Sequence, residues 1–298
     1  VVERGENWVC VNARFNNPDK DAGYVVFRRG DTFIEWHYSD RWYNVFALYD
    51  VEDGRFKGWY CNVTRPAILR EEMVYADDLA LEVAGREVWL KGVVGWLPLT
   101  DPKTTEKLLL KKYKKHPLFK GVRHLIHDEP DARWLLQKNV LESLSLLAEH
   151  NISYDVVGIM DEHIETALQV AHKIPTLRMI FDHLNQPPMQ GYFGQWGQLM
   201  RVAATHHNFY VKISGLGTAS KKLNNWTAED IKPCIAFVLE HFGEDRCCVG
   251  GDWPVSLLAG SYTHTWQTYK EVLGEMLNEQ GLQKVYSLNA AAFYKLND

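Results

Sequence analysis

In the stretch VGGDWPV (249–255), Asp252 closes an apolar run between a pair of glycines and a Trp-Pro. A carboxylate there can take a proton from water as that water attacks a carbonyl. Other groups suit the same chemistry. His183 follows RMIF and Asp182, while Arg123 and His124 stand together in GVRHLI (121–126), with His127 just past its end. An imidazole and a guanidinium can polarise a carbonyl or hold a substrate anion. Each has an ordinary alternative: Asp252 as a turn cap, His183 as a satisfied core histidine. His124 and His127 have a spacing that serves a metal on a helix, but a strand sends them to opposite faces, so metal binding by that pair is not expected. Lys212 in FYVKISG is read as structural. Ser214 is not read as a nucleophile, because the sequence lacks GxSxG and shows no evident base for it.

These residues need elements to hold them. From about Gly92 the rhythm is strand, helix, strand, helix, with six apolar runs: GVVGWLPL (92–99), GVRHLI (121–126), YDVVGI (154–159), RMIFDHL (178–184), FYVKISG (209–215) and CCVGGDW (247–253). That alternation predicts a parallel sheet, and regular units without GxGxxG favour a barrel over a dinucleotide fold. Side chains at the C-terminal ends of barrel strands face the active site, and a complete barrel takes eight units. Six are recognisable here, so the fold class expected is α/β with an incomplete (β/α) TIM-type barrel.

The first 85 residues read differently. GYVVFRRGDTFIEWHYS (23–39) and YNVFALYDVEDGRFKGWYCNV (43–63) hold short aromatic and β-branched strands between turn residues, which predicts a β-rich antiparallel domain or small barrel. The domains expected are 1–85 and 86–298, with the join somewhere in 79–91. Around it, ADDLALEVA (76–84) alternates as a strand does yet is composed of good helix formers.

The composition is that of a globular protein, 46% apolar and 24% charged over 298 residues. A net charge of -5 gives no electrostatic reason to expect nucleic acid or an acidic membrane as partner. The basic run KKYKK (111–115) is read as a solvated face. No apolar run approaches the roughly 20 residues of a membrane span, and no signal-peptide pattern is read at the start. The odd set Cys10, Cys61, Cys234, Cys247 and Cys248 lacks CxxC spacing, which favours free thiols and a cytoplasmic location.

GVVGWLPLTDP, FKGVRHLIHDEPDARWL, DHLNQPP, VKISGL, FGEDRCCVGGDWPV and SLNAAAFYKL together resemble the amidohydrolase-related family, in its fuconolactonase-like branch, over roughly 92–298. The resemblance implies a (β/α)8 fold that hydrolyses a sugar lactone or related ester. It makes Asp252 the water-activating aspartate of strand eight, His183 the histidine of strand six, and Arg123 a substrate contact of strand four. The family's His-x-His of strand one is missing: no two of the twelve histidines are separated by a single residue. The first two strands of that fold are expected to be absent with it.

GDTFIEWHY, YNVFALYD, DGRFKGWYCNVTRPA and VYADDLALEV resemble a small β-barrel family of nucleoside-diphosphate phosphohydrolases over roughly 20–83. Tyr60, Asn62 and Asp78 match its motif positions, Asp78 as a divalent-metal ligand, although Glu82 stands where a second Asp is preferred. The two partial likenesses suggest a fusion or chimera.

Three functions follow. The first is a metal-independent lactonase or related carbonyl hydrolase, impaired by the missing histidines, with Asp252 and His183 catalytic, Arg123 and His124 binding a small-molecule substrate, and no cofactor. The second is a Mg²⁺- or Mn²⁺-dependent nucleotide phosphohydrolase using Tyr60, Asn62 and Asp78. The third is an inactive fusion of truncated domains. A barrel missing strands exposes sheet edges, so a homo-oligomer covering them is also expected.

Overall fold

The computed structural model describes residues 90–189 and 191–296, residues 77, 80–82 and 84–86, and the strand segments of the first 58 residues. The chain divides into two compact units, Val1–Glu82 and Val83–Asp298. Tyr60, Asn62 and Asp78 lie outside the described residues.

In the first unit six strands follow one another in an antiparallel meander: β1 (Glu3–Arg4), β2 (Trp8–Ala13), β3 (Ala22–Arg29), β4 (Thr32–Ser39), β5 (Trp42–Asp50) and β6 (Arg55–Gly58). The aromatic and β-branched runs take the extended backbone their side chains favour. The ambiguous stretch after them is helical at 77, 80–82 and 84–86.

The second unit is α/β. Its six strands are β7 (Val93–Gly95), β8 (Phe119–His124), β9 (Ser153–Val156), β10 (Met179–Phe181), β11 (Phe209–Ile213) and β12 (Cys247–Val249). They pair in parallel in chain order and form a curled half-barrel sheet, consistent with an incomplete TIM-type barrel. Each ends before its apolar run does, because pairing stops where the chain turns outward. Thus Asp182, His183, Ser214 and Asp252 sit just beyond strand ends rather than within strands.

The helices α1 (Pro102–Lys111), α2 (Lys138–Glu149), α3 (Asp161–Lys173), α4 (Gly194–Ala204), α5 (Leu216–Ala219), α6 (Ala228–Phe242), α7 (Tyr262–Met276), α8 (Glu279–Gln283) and α9 (Asn289–Tyr294) complete the unit. Their starts are written locally. Asp101 accepts the Thr104 N–H with Pro102 in the first turn, and Thr227 forms a capping box with Asp230. Their apolar stripes have helical spacing, as in Val140, Leu144 and Leu147 of α2 or Ile231, Ile235, Val238 and Phe242 of α6. Burying such side chains contributes about 1.5–3 kcal/mol each. Among the described residues no helix is long and apolar enough to cross a membrane.

The closing SLNAAAFYKL brings α9 back to the sheet. Asn289 donates to the carbonyls of Glu244 and Cys247, at 2.6 and 2.8 Å. Phe293 then packs with Ile180 and Cys248, with Tyr210 and Tyr294 against them. Cys234, Cys247 and Cys248 are buried free thiols, and burial pushes Cys234 and Cys248 up to about 12. They behave as core, not as nucleophiles.

Candidate active site

Strand register decides which side chains share the concave face. Arg123 pairs with Asp155, Asp155 with Ile180, and Ile180 with Tyr210. Side chains alternate along a strand, so Asp182 and Lys212, two residues beyond Ile180 and Tyr210, lie on that same face. The result is a layer of paired charges. Lys212 Nζ is 2.5 Å from Asp155 Oδ2 and 2.6 Å from Asp182 Oδ1. Arg123 Nε donates to Asp182 Oδ2 at 2.7 Å, and the Tyr294 hydroxyl donates to Asp155 Oδ2 at 2.7 Å.

Two carboxylates face two cations, the condition under which buried charge is tolerated. Burial raises a carboxyl pKa, but on Asp182 it is outweighed by Lys212, Arg123 and His183, which hold the group well below the ordinary range. Burial would lower Lys212, yet Asp155 and Asp182 keep it well above its usual value. Burial moves Asp155 upward against Lys212 and the Tyr294 hydroxyl.

Above this layer the chain takes an unusual turn. His183, Leu184, Asn185 and Gln186 have φ of 54, 52, 53 and 48°, four successive non-glycine residues in the left-handed region. Each costs roughly 1–2 kcal/mol. Neighbours hold the turn: Trp196 Nε1–H donates to the Leu184 carbonyl at 2.9 Å, Asn185 Nδ2 to the Met160 carbonyl at 3.1 Å, and Leu184 is fully buried. Such strain concentrates where a side chain must be aimed.

Here the aimed group is the His183 ring. Its Nδ1 is 2.8 Å from Ser214 Oγ, and its Nε2 is 3.4 Å from Asp252 Oδ1. Asp252 also has positive φ, 47°, and its carbonyl accepts the Ser256 N–H at 2.8 Å. Gly215 (φ +64°) fits between the two: a Cβ there would lie 2.9 Å from the His183 ring and 3.0 Å from Asp252 Oδ2. Burial raises the Asp252 carboxyl, opposed by His183 and Arg123. Burial lowers His183, opposed by Asp182 and Asp252. The pair is therefore a carboxylate made more basic beside an imidazole biased to its neutral form. That combination suits removal of a proton from water.

Ser214, His183 and Asp252 also stand in the order of a nucleophilic triad. Ser214, however, is buried at 2% exposure, so its hydroxyl orients the ring and does not face a substrate. The sequence showed no base beside Ser214; the fold supplies an imidazole.

Asp252 and His183 are thus brought together, with Arg123 tied to them through Asp182. His124 is not brought to this cluster. It pairs in register with Val156, on the face opposite Arg123 and Asp155. Trp96 Nε1–H donates to His124 Nδ1 at 3.1 Å, His124 Nε2 lies 2.6 Å from Glu129 Oε1, and its ring stacks on Trp134 at 4.2 Å. With Nδ1 accepting, the proton sits on Nε2 and points at Glu129. His127 Nδ1 lies 3.2 Å from the Val157 carbonyl.

Two members of the ion layer escaped sequence reasoning. Asp155 carried a signal, a lone acid in the apolar run YDVVGI. Tyr294 carried none, being 139 residues from its partner.

The sequence of residues 25–296 matches the Amidohydrolase family. The chain belongs to that family. The match begins inside the first compact unit, well before residue 86. Relatives include the L-fucono-1,5-lactonase of Burkholderia ambifaria, 28% identical over 221 residues covering 73% of this chain and 74% of that one. The L-rhamnono-gamma-lactonase of Scheffersomyces stipitis is 26% identical, covering 60% of each.

An amidohydrolase from Burkholderia multivorans, solved with bound HEPES and with bound zinc, superposes with a TM-score of 0.67 in both forms at 24% identity, covering 74% of this chain and 79% of that one. That likeness speaks to the fold. In this amidohydrolase, His183 and Asp252 are two donors where zinc takes four ligands. Among the described residues no three His, Cys, Asp or Glu side chains group to hold a metal. Within the described residues this pair alone does not complete a zinc site.

Proposed function

We propose that this amidohydrolase hydrolyses the ester bond of a sugar lactone without a metal. The observation that carries the reading is the Asp252–His183 pair at the strand ends, with the Arg123 guanidinium in the same electrostatic neighbourhood. The lactonase relatives support the substrate class.

In this reading Asp252 takes a proton from water as the water oxygen bonds to the lactone carbonyl carbon. The carbon bond to the ring oxygen then breaks. The proton passes from Asp252 to that oxygen, leaving a hydroxy acid. His183, oriented through Nδ1 by Ser214, presents Nε2 toward the reacting carbonyl. The Arg123 side chain is 33% exposed, so its outer edge can meet the polar substituents of a sugar while Nε stays on Asp182. Without the His-x-His that the family resemblance leads one to expect, the carbonyl lacks donors worth on the order of 10²-fold each, so slow turnover is expected.

Acid release from L-fucono- and L-rhamnono-lactones, measured with and without EDTA, tests the proposal. Chelator-insensitive hydrolysis is expected. Replacing Asp252 with Asn should lower kcat about 10³-fold while the thermal midpoint holds or rises, since a buried carboxylate is removed. Unchanged turnover in Asp252→Asn, or none in the parent protein, refutes it.

A further inference from the structure

We infer that Lys212 is a positioning residue: by bridging Asp155 and Asp182 it fixes the carboxylate that orients Arg123 and from which the His183 turn departs. A chain of contacts carries this. Tyr294 Oη, Asp155 Oδ2, Lys212 Nζ, Asp182 and Arg123 Nε follow one another with each separation between 2.5 and 2.7 Å. Asp182 is the two-ended link, with Oδ1 on Lys212 and Oδ2 on Arg123. It also immediately precedes the left-handed turn that aims His183.

From β11, Lys212 joins Asp155 of β9 to Asp182 just beyond β10, holding Oδ1 of Asp182 while Oδ2 is left to Arg123. The C-terminal helix joins the site by the same route. Tyr294 shares Asp155 Oδ2 with Lys212, whose Nζ also lies 5.5 Å from the Tyr294 ring centroid. The last helix thereby touches the site through three intermediate side chains.

The kinetic arm of the test rests on the lactonase reading; the spectroscopic arm does not. Lys212→Met alone leaves two carboxylates facing one cation and should destabilise the fold. The charge-balanced Asp155→Asn/Lys212→Met protein should recover most of the thermal midpoint. Its Arg123 Nε–H resonance, assigned by its loss in Arg123→Gln, should still shift or broaden. Its KM should stay raised by about tenfold, the scale of one charge-assisted hydrogen bond, with kcat changed less. Tyr294→Phe, which removes only a hydroxyl, should move the same resonance to a smaller degree and serves if the double variant does not fold.

Recovery of KM and of the parent resonance together with stability would make Lys212 merely structural and overturn the inference. So would a Tyr294→Phe spectrum identical to the parent's. If the parent protein hydrolyses no lactone, the functional proposal fails while the resonance still decides the role of Lys212.

Discussion

Asp182 and Asp252 each follow the end of a strand in one sheet and flank the same imidazole, yet their carboxyls move in opposite directions. Both are buried, and burial raises both. The difference is their company. Asp182 has one oxygen on Lys212 and the other on Arg123, so its negative charge is matched and held. Among the described residues Asp252 has only the His183 ring within ion-pair distance, at 3.4 Å, and that ring is biased toward neutrality by its own burial. One carboxylate is thereby held as a fixed counter-charge and the other left the more basic of the two. A pair of titratable groups driven apart by their surroundings is how one site separates structural from chemical duty.

The sharpest way to break this contrast is to neutralise each acid in turn. Asp182→Asn leaves Lys212 and Arg123 short of a counter-charge and should cost about 3–5 kcal/mol of stability in urea titration. The Asp252→Asn protein should lose turnover and no stability. Equal stability loss in both would erase the distinction.

Gly215→Ala probes the space between His183 and Asp252. The positive φ costs roughly 1–2 kcal/mol in a residue with a Cβ, and the new methyl pushes on both side chains. A drop in kcat accompanied by that loss in unfolding free energy is expected; a neutral substitution would mean the pair is looser than described.

The pH profile refines the same point. In the proposed reaction Asp252 acts deprotonated, so kcat/KM should fall as the pH drops through its raised pKa, an acid limb above the usual carboxylate value of about 3.9. Arg123 opposes that rise, so the limb should move to still higher pH in Arg123→Gln. A limb unmoved in this variant would show that the two groups are not coupled.

The smallest effect belongs to the other histidine. His124→Gln should cost about 1 kcal/mol through its bonds to Trp96 and Glu129. Its kinetic constants should match the parent's, and a raised KM would bring His124 back to the substrate.

The strand and helix rhythm was legible because apolar periodicity is a local property. The run at 209–215 contains β11, and the run at 121–126 overlaps β8, which starts and ends two residues earlier. Asp252 and His183 were legible for the same reason: each is a polar residue ending an apolar run. What misled was reading side chains one strand at a time. Arg123 and His124 are neighbours in sequence, and only the pleat separates their destinations. Lys212, read as structural, and Asp155, passed over, became a bridge once register put them on one face.

Sequence by itself therefore determined the order of elements, the caps that start the helices, and the chemical types waiting at the strand ends. Those depend on dihedral preference and hydrophobic period, which act over a few residues. Only the tertiary structure decided which carboxylate is neutralised and which stays basic. That outcome depends on distances of 2.5–3.4 Å between groups as much as 139 residues apart. Charge interaction is governed by separation in space and by burial, and neither is written in any one segment.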